Sequence, residues 1–385
     1  MRRATLARML FLIPKTLSFH VGSVRSFLRA GAAHAKVRHS TVRMSSSKPS
    51  GKSKLIFLGT PEVAAHSLST LLEASAAPDA SWEVAAVVTQ PAQMMGRGSK
   101  RVLTPSPVAA LAQSAGVQVF APEKAKDDAF LSALEEIEPC LCITAAYGQW
   151  LPKRFLAVPR CGTLNIHPSL LPRWRGASPI QRSLEAGDEE IGVSVLWTVA
   201  KMDAGPVAAQ SRRRLSGDEK APMLLEEMFA EGTNLLLDLL PSVLAGDCTP
   251  ATSVVQDEAN VVAADKITVA EAQVCFRTDS ATTVHHRVRG FAGWPGVWTY
   301  FQTGDGEEER VKLITTRIAE ASDLPSDFAG GSALAVVGKG RLLVPCADGS
   351  VLEILELQAP GKKPMAAKAF INGLRGKSVR WIPRE

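Results

Sequence analysis

The sequence predicts an α/β domain built on a mostly parallel sheet, followed by a small all-β barrel. Three observations carry this. Between residues 54 and 244, short apolar runs alternate with helical patterns, as in a parallel sheet covered on both faces. Residues 247–262 are polar and turn-like, which suits a linker. From about 265 onward, short strands separated by Gly, Asp and Ser turns take over, which reads as a barrel of about 120 residues.

The elements follow in order. Lys54–Gly59 (KLIFLG) is a buried-strand run ending in Gly-Thr-Pro, and Pro61 stands where a helix would begin. Residues 62–75 follow a helical pattern. Glu83–Thr89, Val117–Phe120 and Leu141–Ala145 read as further strands, with helices at about 106–115 and 126–137 between them. Thr163–His167 is the next strand, and a helix follows from about 177 to 186. Gly192–Val199 and Val207–Leu215 complete the sheet, and a long helix from about 221 to 244 closes the domain. In the second half the expected strands are 297–302, 310–318, 333–337, 341–345 and 350–357.

The chain has 385 residues, room for two ordinary domains, and its 46% hydrophobic and 21% charged content is globular. No apolar run approaches the roughly 20 residues needed to span a bilayer. The formal charge of +6 is concentrated at one end. Residues 1–50 hold ten Lys or Arg and no acid, which leaves 34 basic against 38 acidic residues and a net −4 in the remainder. A polyanion would have to be met by local patches. Residues 1–50, Arg- and Ser-containing and acid-free, read as a transit peptide; the bland alternative is a basic tail. The dominance of Arg favours the mitochondrial matrix, with a plastid as the alternative.

Six cysteines are present, with no Cys-x-x-Cys and no Cys/His set at zinc spacing, so no metal is expected. Cys140 and Cys142 read as buried free thiols, and a reducing compartment fits. Gly51-Lys52-Ser53 ends like a phosphate loop but lacks its first glycine and a preceding strand. Gly96-Arg97-Gly98 lacks the third glycine of a dinucleotide fingerprint, which argues against a nicotinamide dehydrogenase. No Gly-x-Ser-x-Gly elbow occurs.

The informative stretch is Asn165-Ile166-His167-Pro168-Ser169-Leu170-Leu171-Pro172-Arg173-Trp174-Arg175-Gly176. Residues i and i+2 of a strand share a face, so Asn165 and His167 should point into one cleft. Pro168 ends regular pairing just after them. Asp203, in Met202-Asp203-Ala204-Gly205, sits in a turn after the Gly192–Val199 strand and can reach the same mouth. An Asn, a His and an Asp around one cleft, with no nucleophilic Ser or Cys, suit direct acyl transfer to an amine. Asn165 and a protonated His167 can donate to the developing oxyanion, and Asp203 can hold the imidazole or relay a proton.

These residues resemble a known family. Asn-Ile-His-Pro-Ser-Leu-Leu-Pro, then Arg-Trp-Arg-Gly, with Asp-x-Gly downstream, is similar to the formyltransferases that use 10-formyltetrahydrofolate. Phe57–Glu62 (FLGTPE), Thr89–Pro91 with Gly96–Lys100 and Pro105–Val108, and Ala177–Ser183 resemble the methionyl-tRNA formyltransferase branch. Arg289-Gly290-Phe291 through Trp294-Pro295 and Pro360–Lys363 echo it more weakly.

The resemblance implies a Rossmann-like catalytic domain over 54–245, a linker over 246–264 and an OB-like tRNA-binding domain over 265–385. It implies formyl transfer from 10-formyltetrahydrofolate to the α-amine of methionyl initiator tRNA in organellar translation initiation, by a monomer. By motif, Asn165, His167 and Asp203 are catalytic, and Ser169, Leu170, Leu171 and Pro172 line the folate site. Arg97, Lys100 and Arg101 of the inserted loop meet tRNA. That loop also suits the role by chemistry, since a glycine-containing basic loop beside an acyl-transfer cleft can grip phosphates. Two departures stand out: Val199–Met202 replaces the Gly-Leu pair usual before the Asp, and Ala292-Gly293 replaces Asn-Pro before Trp-Pro.

Overall fold

Alternation of apolar residues on β1 (Ser53–Gly59) explains the layered architecture of the first half. Leu55 and Phe57 are buried on one face of the sheet, and Ile56 and Leu58 on the other, so helices must cover both. The computed structural model describes residues 51–96, 101–326, 328, 333–337 and 340–383. The expected transit peptide, residues 1–50, lies outside the described residues, as do Arg97 and Lys100.

After β1 come α1 (Glu62–Ser75), β2 (Trp82–Val88), a hairpin of β3 (Gln93–Met95) and β4 (Val102–Thr104), and α2 (Pro107–Ser114). Next are β5 (Gln118–Phe120), α3 (Asp128–Ile137), β6 (Leu141–Ala145), α4 (Lys153–Leu156), β7 (Thr163–His167), β8 (Arg175–Gly176) and α5 (Pro179–Ala186). The half ends with β9 (Glu190–Trp197), β10 (Val207–Arg214) and α6 (Ala221–Ala245). The sheet order is β10-β9-β7-β6-β1-β2-β5, parallel from β7 to β5 and antiparallel across β7-β9-β10.

Helix α6 presses on the strand that carries Asn165 and His167. A Cβ on Gly232 would lie 2.5 Å from Ile166 and 2.6 Å from Val193, so only glycine lets the helix approach this closely. The inserted segment, read from the sequence as a glycine-containing basic loop, contains two short antiparallel strands with Met94, Met95, Val102 and Leu103 exposed.

Residues 246–264 do have turn-like local structure, but β11 (Ala263–Ala264) pairs with β8, so the segment straps back across the sheet domain. The second half contains α7 (Ala281–Gly290), β12 (Trp298–Thr303), β13 (Glu308–Ala319), β14 (Ala335–Val337), β15 (Arg341–Pro345), β16 (Val351–Gln358), β17 (Met365–Ala366), α8 (Ala367–Leu374) and β18 (Val379–Ile382). Its ladder runs β14-β15-β16-β13-β12-β18, all antiparallel. Ala333 bridges back to Arg380 of β18, so the sheet curls on itself around Phe276, Leu342, Leu352, Leu357 and Trp381. The domain is a β barrel with two added helices: Ala281, Val284 and Val288 of α7 and Ala367 and Leu374 of α8 enter its core.

Candidate active site

Strand alternation places Asn165 and His167 on one face of β7. His167 is buried and Asn165 half-buried. Thr144 of β6 pairs with Asn165 across the parallel ladder, and its hydroxyl donates to Asn165 Oδ1 at 2.7 Å. The Asn165 amide nitrogen therefore faces the other way, toward Asp203 Oδ1 at 3.5 Å. A carboxylate accepts only, so this neighbour and Thr144 fix the same amide orientation.

Asp203 reaches the pair by an indirect route. β9 runs antiparallel to β7, with Trp197 opposite Leu164, so the turn after β9 emerges beside the start of β7. Residues 198–206 must fold back along the sheet face to bring the acid to Asn165 and His167. Asp203 has a φ of 49°, the left-handed region, and supplies the reversal. Gly205 explains the Asp-x-Gly spacing: a Cβ there would sit 1.7 Å from the Trp197 carbonyl.

At its destination, Asp203 Oδ2 accepts the Gly176 N–H at 3.0 Å and lies 3.8 Å from His167 Nδ1. His167 Nε2 lies 2.9 Å from the Trp174 carbonyl, an acceptor, so Nε2 carries a proton. The ring nitrogen that addresses Asp203 is therefore Nδ1. Asn165, His167 and Asp203 are brought together as the sequence suggested.

A second layer holds the acid. Gln256, in the strap and buried, donates its two amide hydrogens to the carbonyls of Asp203 and Gly205, each at 2.7 Å. Its Oε1 accepts from Arg175 Nε at 2.9 Å. Arg175 is itself buried and ion-pairs with Glu258 at 2.9 Å, while Lys201 reaches the other Glu258 oxygen at 2.7 Å. Arg175 and then Lys201 hold the Glu258 carboxyl down at about 2. Sequence reading missed Thr144, Arg175 and Gln256. Gln256 lies in a stretch of linker-like composition, and its partner Arg175 is distant in sequence; no local signal marks it.

The four residues expected at a folate site divide. Ser169 and Leu170 line a cavity of about 420 Å³, with Pro168, Trp174, Gly192 and Arg214; Asn165, His167 and Asp203 do not line it. Leu171 packs instead with Leu196 and Val207, and Pro172 is half-buried; neither lines that cavity. The Ser169 hydroxyl is spent inside the loop on the Arg173 carbonyl at 2.8 Å, while Ser194 donates to the Ser169 carbonyl at 2.7 Å. A second cavity of about 420 Å³, lined by Gln90, Lys124, Gly148 and Trp150, adjoins the Asp203 loop, where Trp150 Nε1 donates to the Ala200 carbonyl at 3.4 Å. Arg101 is exposed beside the hairpin.

Residues 53–240 match the formyl transferase family, and residues 266–375 match the formyl transferase C-terminal domain. The chain is 36% identical over 329 residues to the methionyl-tRNA formyltransferase of Macrococcus caseolyticus, covering 85% of this chain and 97% of that protein. It is 39% identical over 328 residues to the methionyl-tRNA formyltransferase of Methylococcus capsulatus, covering 85% of this chain and 99% of that protein. Among solved structures, the sugar 3N-formyl transferase WlaRD shares the fold with a TM-score of 0.55 at 15% identity, over 81% of this chain and 99% of that one.

Proposed function

This chain belongs to the methionyl-tRNA formyltransferase family, and on that premise we propose how its residues carry the reaction and where in the cell it runs. As a member it formylates methionyl initiator tRNA with a folate-derived donor; our reading takes that donor as 10-formyltetrahydrofolate. The observation that supports the catalytic roles is the meeting of Asn165, His167 and Asp203 on one sheet face; among the described residues no Ser or Cys side chain is hydrogen-bonded to the three.

The amine of the methionyl group attacks the formyl carbon directly. A C–N bond forms, the carbonyl oxygen takes the electron pair, and a tetrahedral oxyanion results. Asn165 Nδ2, aimed by Thr144, donates to that oxygen. In the imidazolium form, His167 has its Nε2–H committed to Trp174, so its Nδ1–H is the donor beside Asp203 and the cleft. The incoming ammonium must lose a proton and the departing folate nitrogen must gain one. Asp203, bonded to both Asn165 and the Gly176 N–H, takes the first and passes it to the departing nitrogen. The oxyanion then collapses, and the bond to folate N10 breaks.

Gln256 and Arg175 are positioning residues: they hold the Asp203 backbone without touching the reacting atoms. Ser169 and Leu170 form a wall for the folate, and Leu171 and Pro172 shape their loop. Arg97, Lys100 and Arg101 grip tRNA phosphates, and the exposed apolar side chains of strands β3 and β4 offer a further contact surface.

A formylation assay tests the reading: charged initiator tRNA should be formylated with 10-formyltetrahydrofolate in strong preference to charged elongator tRNA, a purine-pathway amine or buffer. Turnover of the purine-pathway amine in place of tRNA would reject it. Residues 1–50 direct the chain to an organelle, with the mitochondrial matrix preferred over a plastid on Arg content. Removing them should leave turnover intact and abolish import; unchanged targeting would defeat this part.

A further inference from the structure

Cys140 and Cys161 stand just before β6 and β7, at the end of the sheet opposite His167. Their sulfurs are 3.3 Å apart. The Cys161 N–H donates to the Cys140 carbonyl at 2.6 Å, which holds the two residues side by side. Arg160 Nη2 donates to Cys140 Sγ at 3.1 Å. Formyl transfer uses none of these groups.

The arrangement differs from that of the other cysteines. Burial alone pushes the Cys142 thiol far up, and burial chiefly pushes Cys346 up to about 12. Cys140 is held down at about 6: the Cys161 thiol bonded to it outweighs burial, and the Arg160 guanidinium adds to the effect. Cys161 is pushed up by the same bond and by burial. Within the pair the negative charge is favoured on Cys140, beside Arg160, and the proton on Cys161. Cys140 is buried and Cys161 half-buried, so a small molecule reaches the pair from the Cys161 side.

We propose that Cys140 and Cys161 form a reversible dithiol–disulfide site for hydroperoxides, with Arg160 holding the attacking sulfur. The Cys140 thiolate attacks the peroxide; an S–O bond forms, the O–O bond breaks, and the departing hydroxide becomes water with the proton that Cys140 released on ionising. Cys161 then gives up its proton and attacks the Cys140 sulfur; the S–S bond forms and the sulfenic oxygen leaves as water. Two thiols are oxidised and one peroxide is reduced, giving one disulfide and two waters from hydrogen peroxide. Closure needs the sulfurs to approach to about 2.05 Å.

The test treats the reduced full chain with hydrogen peroxide, quenches with an alkylating reagent and maps the peptides by mass. The expected first product is a peptide pair linked through Cys140 and Cys161, released by dithiothreitol. Arg160→Gln should slow its formation by roughly threefold or more, and Arg160→Lys should restore most of the rate. In Cys161→Ser, a sulfenic-acid probe should label Cys140, which separates the attack from the closure. A first product elsewhere, over-oxidation of Cys140 without linkage, or an Arg160→Gln rate equal to that of the parent would overturn the proposal.

Discussion

The two halves of the molecule each hold a cluster of polar and charged side chains around one largely buried carboxylate, and the clusters are built differently. In the barrel, Glu353 is 5% exposed at its side chain and accepts from Arg317 at 2.6 Å and Arg341 at 2.8 Å. Arg341 also grips both oxygens of Asp323, at 2.9 and 2.8 Å. Charge meets charge at short range on every side, and the Glu353 carboxyl is held below its usual range although burial pushes it up. In the sheet domain, Asp203 is 14% exposed, and its contacts to Asn165 and His167 are long, at 3.5 and 3.8 Å. Its closer bonds are to backbone groups: the Gly176 N–H donates to its carboxylate at 3.0 Å, and Gln256 donates to the Asp203 carbonyl at 2.7 Å. The barrel cluster is closed on itself and braces a fold. The sheet cluster fixes each group by a short bond on one side while leaving Asn165 Nδ2 and His167 Nδ1 loosely engaged, as a site that must bind a changing charge requires.

The largest expected effect falls where that looseness serves chemistry. Asn165→Ala should lower kcat by roughly 10²–10³-fold with little change in thermal stability, as for loss of one oxyanion donor. Near-parental turnover would remove Asn165 from the mechanism and erase the contrast between the clusters.

Gln256→Ala comes next. It frees the carbonyls of Asp203 and Gly205 and should lower kcat by roughly tenfold, with the KM for folate moving less. Gln256→Glu should fail to rescue, because a carboxylate has no N–H for those carbonyls. A fall in stability with kcat unchanged would make the strap a structural tie only.

The barrel cluster should respond in the opposite sense. Glu353→Ala leaves Arg341 and Arg317 with less partner charge and should cost about 1–3 kcal/mol of stability in urea unfolding. The folded fraction should keep its kcat; a catalytic loss in fully folded protein would contradict the division drawn above.

Much of this organisation is legible in the chain, and the illegible part has a common cause. The helix over 62–75 and the strands 141–145 and 163–167 fall where apolar periodicity puts them, because each buries a face locally patterned for it. Asn165 and His167 are readable as a pair because a strand's period of two is local. The strap was not readable. Gln256 lies among polar residues whose composition says only "turn", and its importance comes from Arg175 and Asp203, placed beside it by the strap's return across the sheet. The helices 281–290 and 367–374 escaped for a related reason: the first is short and polar on one side, with His286, Arg287 and Arg289, and the second directly follows a strand. The fold-back of the Asp203 loop depends on β9 being antiparallel to β7, and a strand's direction is set by its neighbours in the sheet.

The smallest expected effect concerns pH and the outer end of the strap. The bonds from Arg175 and Lys201 bring the Glu258 carboxyl from the usual 4.5 to about 2 in the folded chain. A depressed carboxyl stabilises the fold above its unfolded pKa, and that contribution is lost as the pH falls from about 4.5 toward about 2. The sign is opposite to that of a group whose pKa rises on folding. Parent protein should therefore lose protection of the amides around 256–264 from hydrogen exchange as the medium is acidified through this window. Glu258→Gln should begin with the weaker protection at neutral pH and show a flatter dependence. Glu258 is exposed, so salt should shrink the difference between the two proteins. An identical pH dependence in both would mean that Arg175 is anchored by Gln256 alone, and that the charged end of the strap contributes nothing to the placement of Asp203.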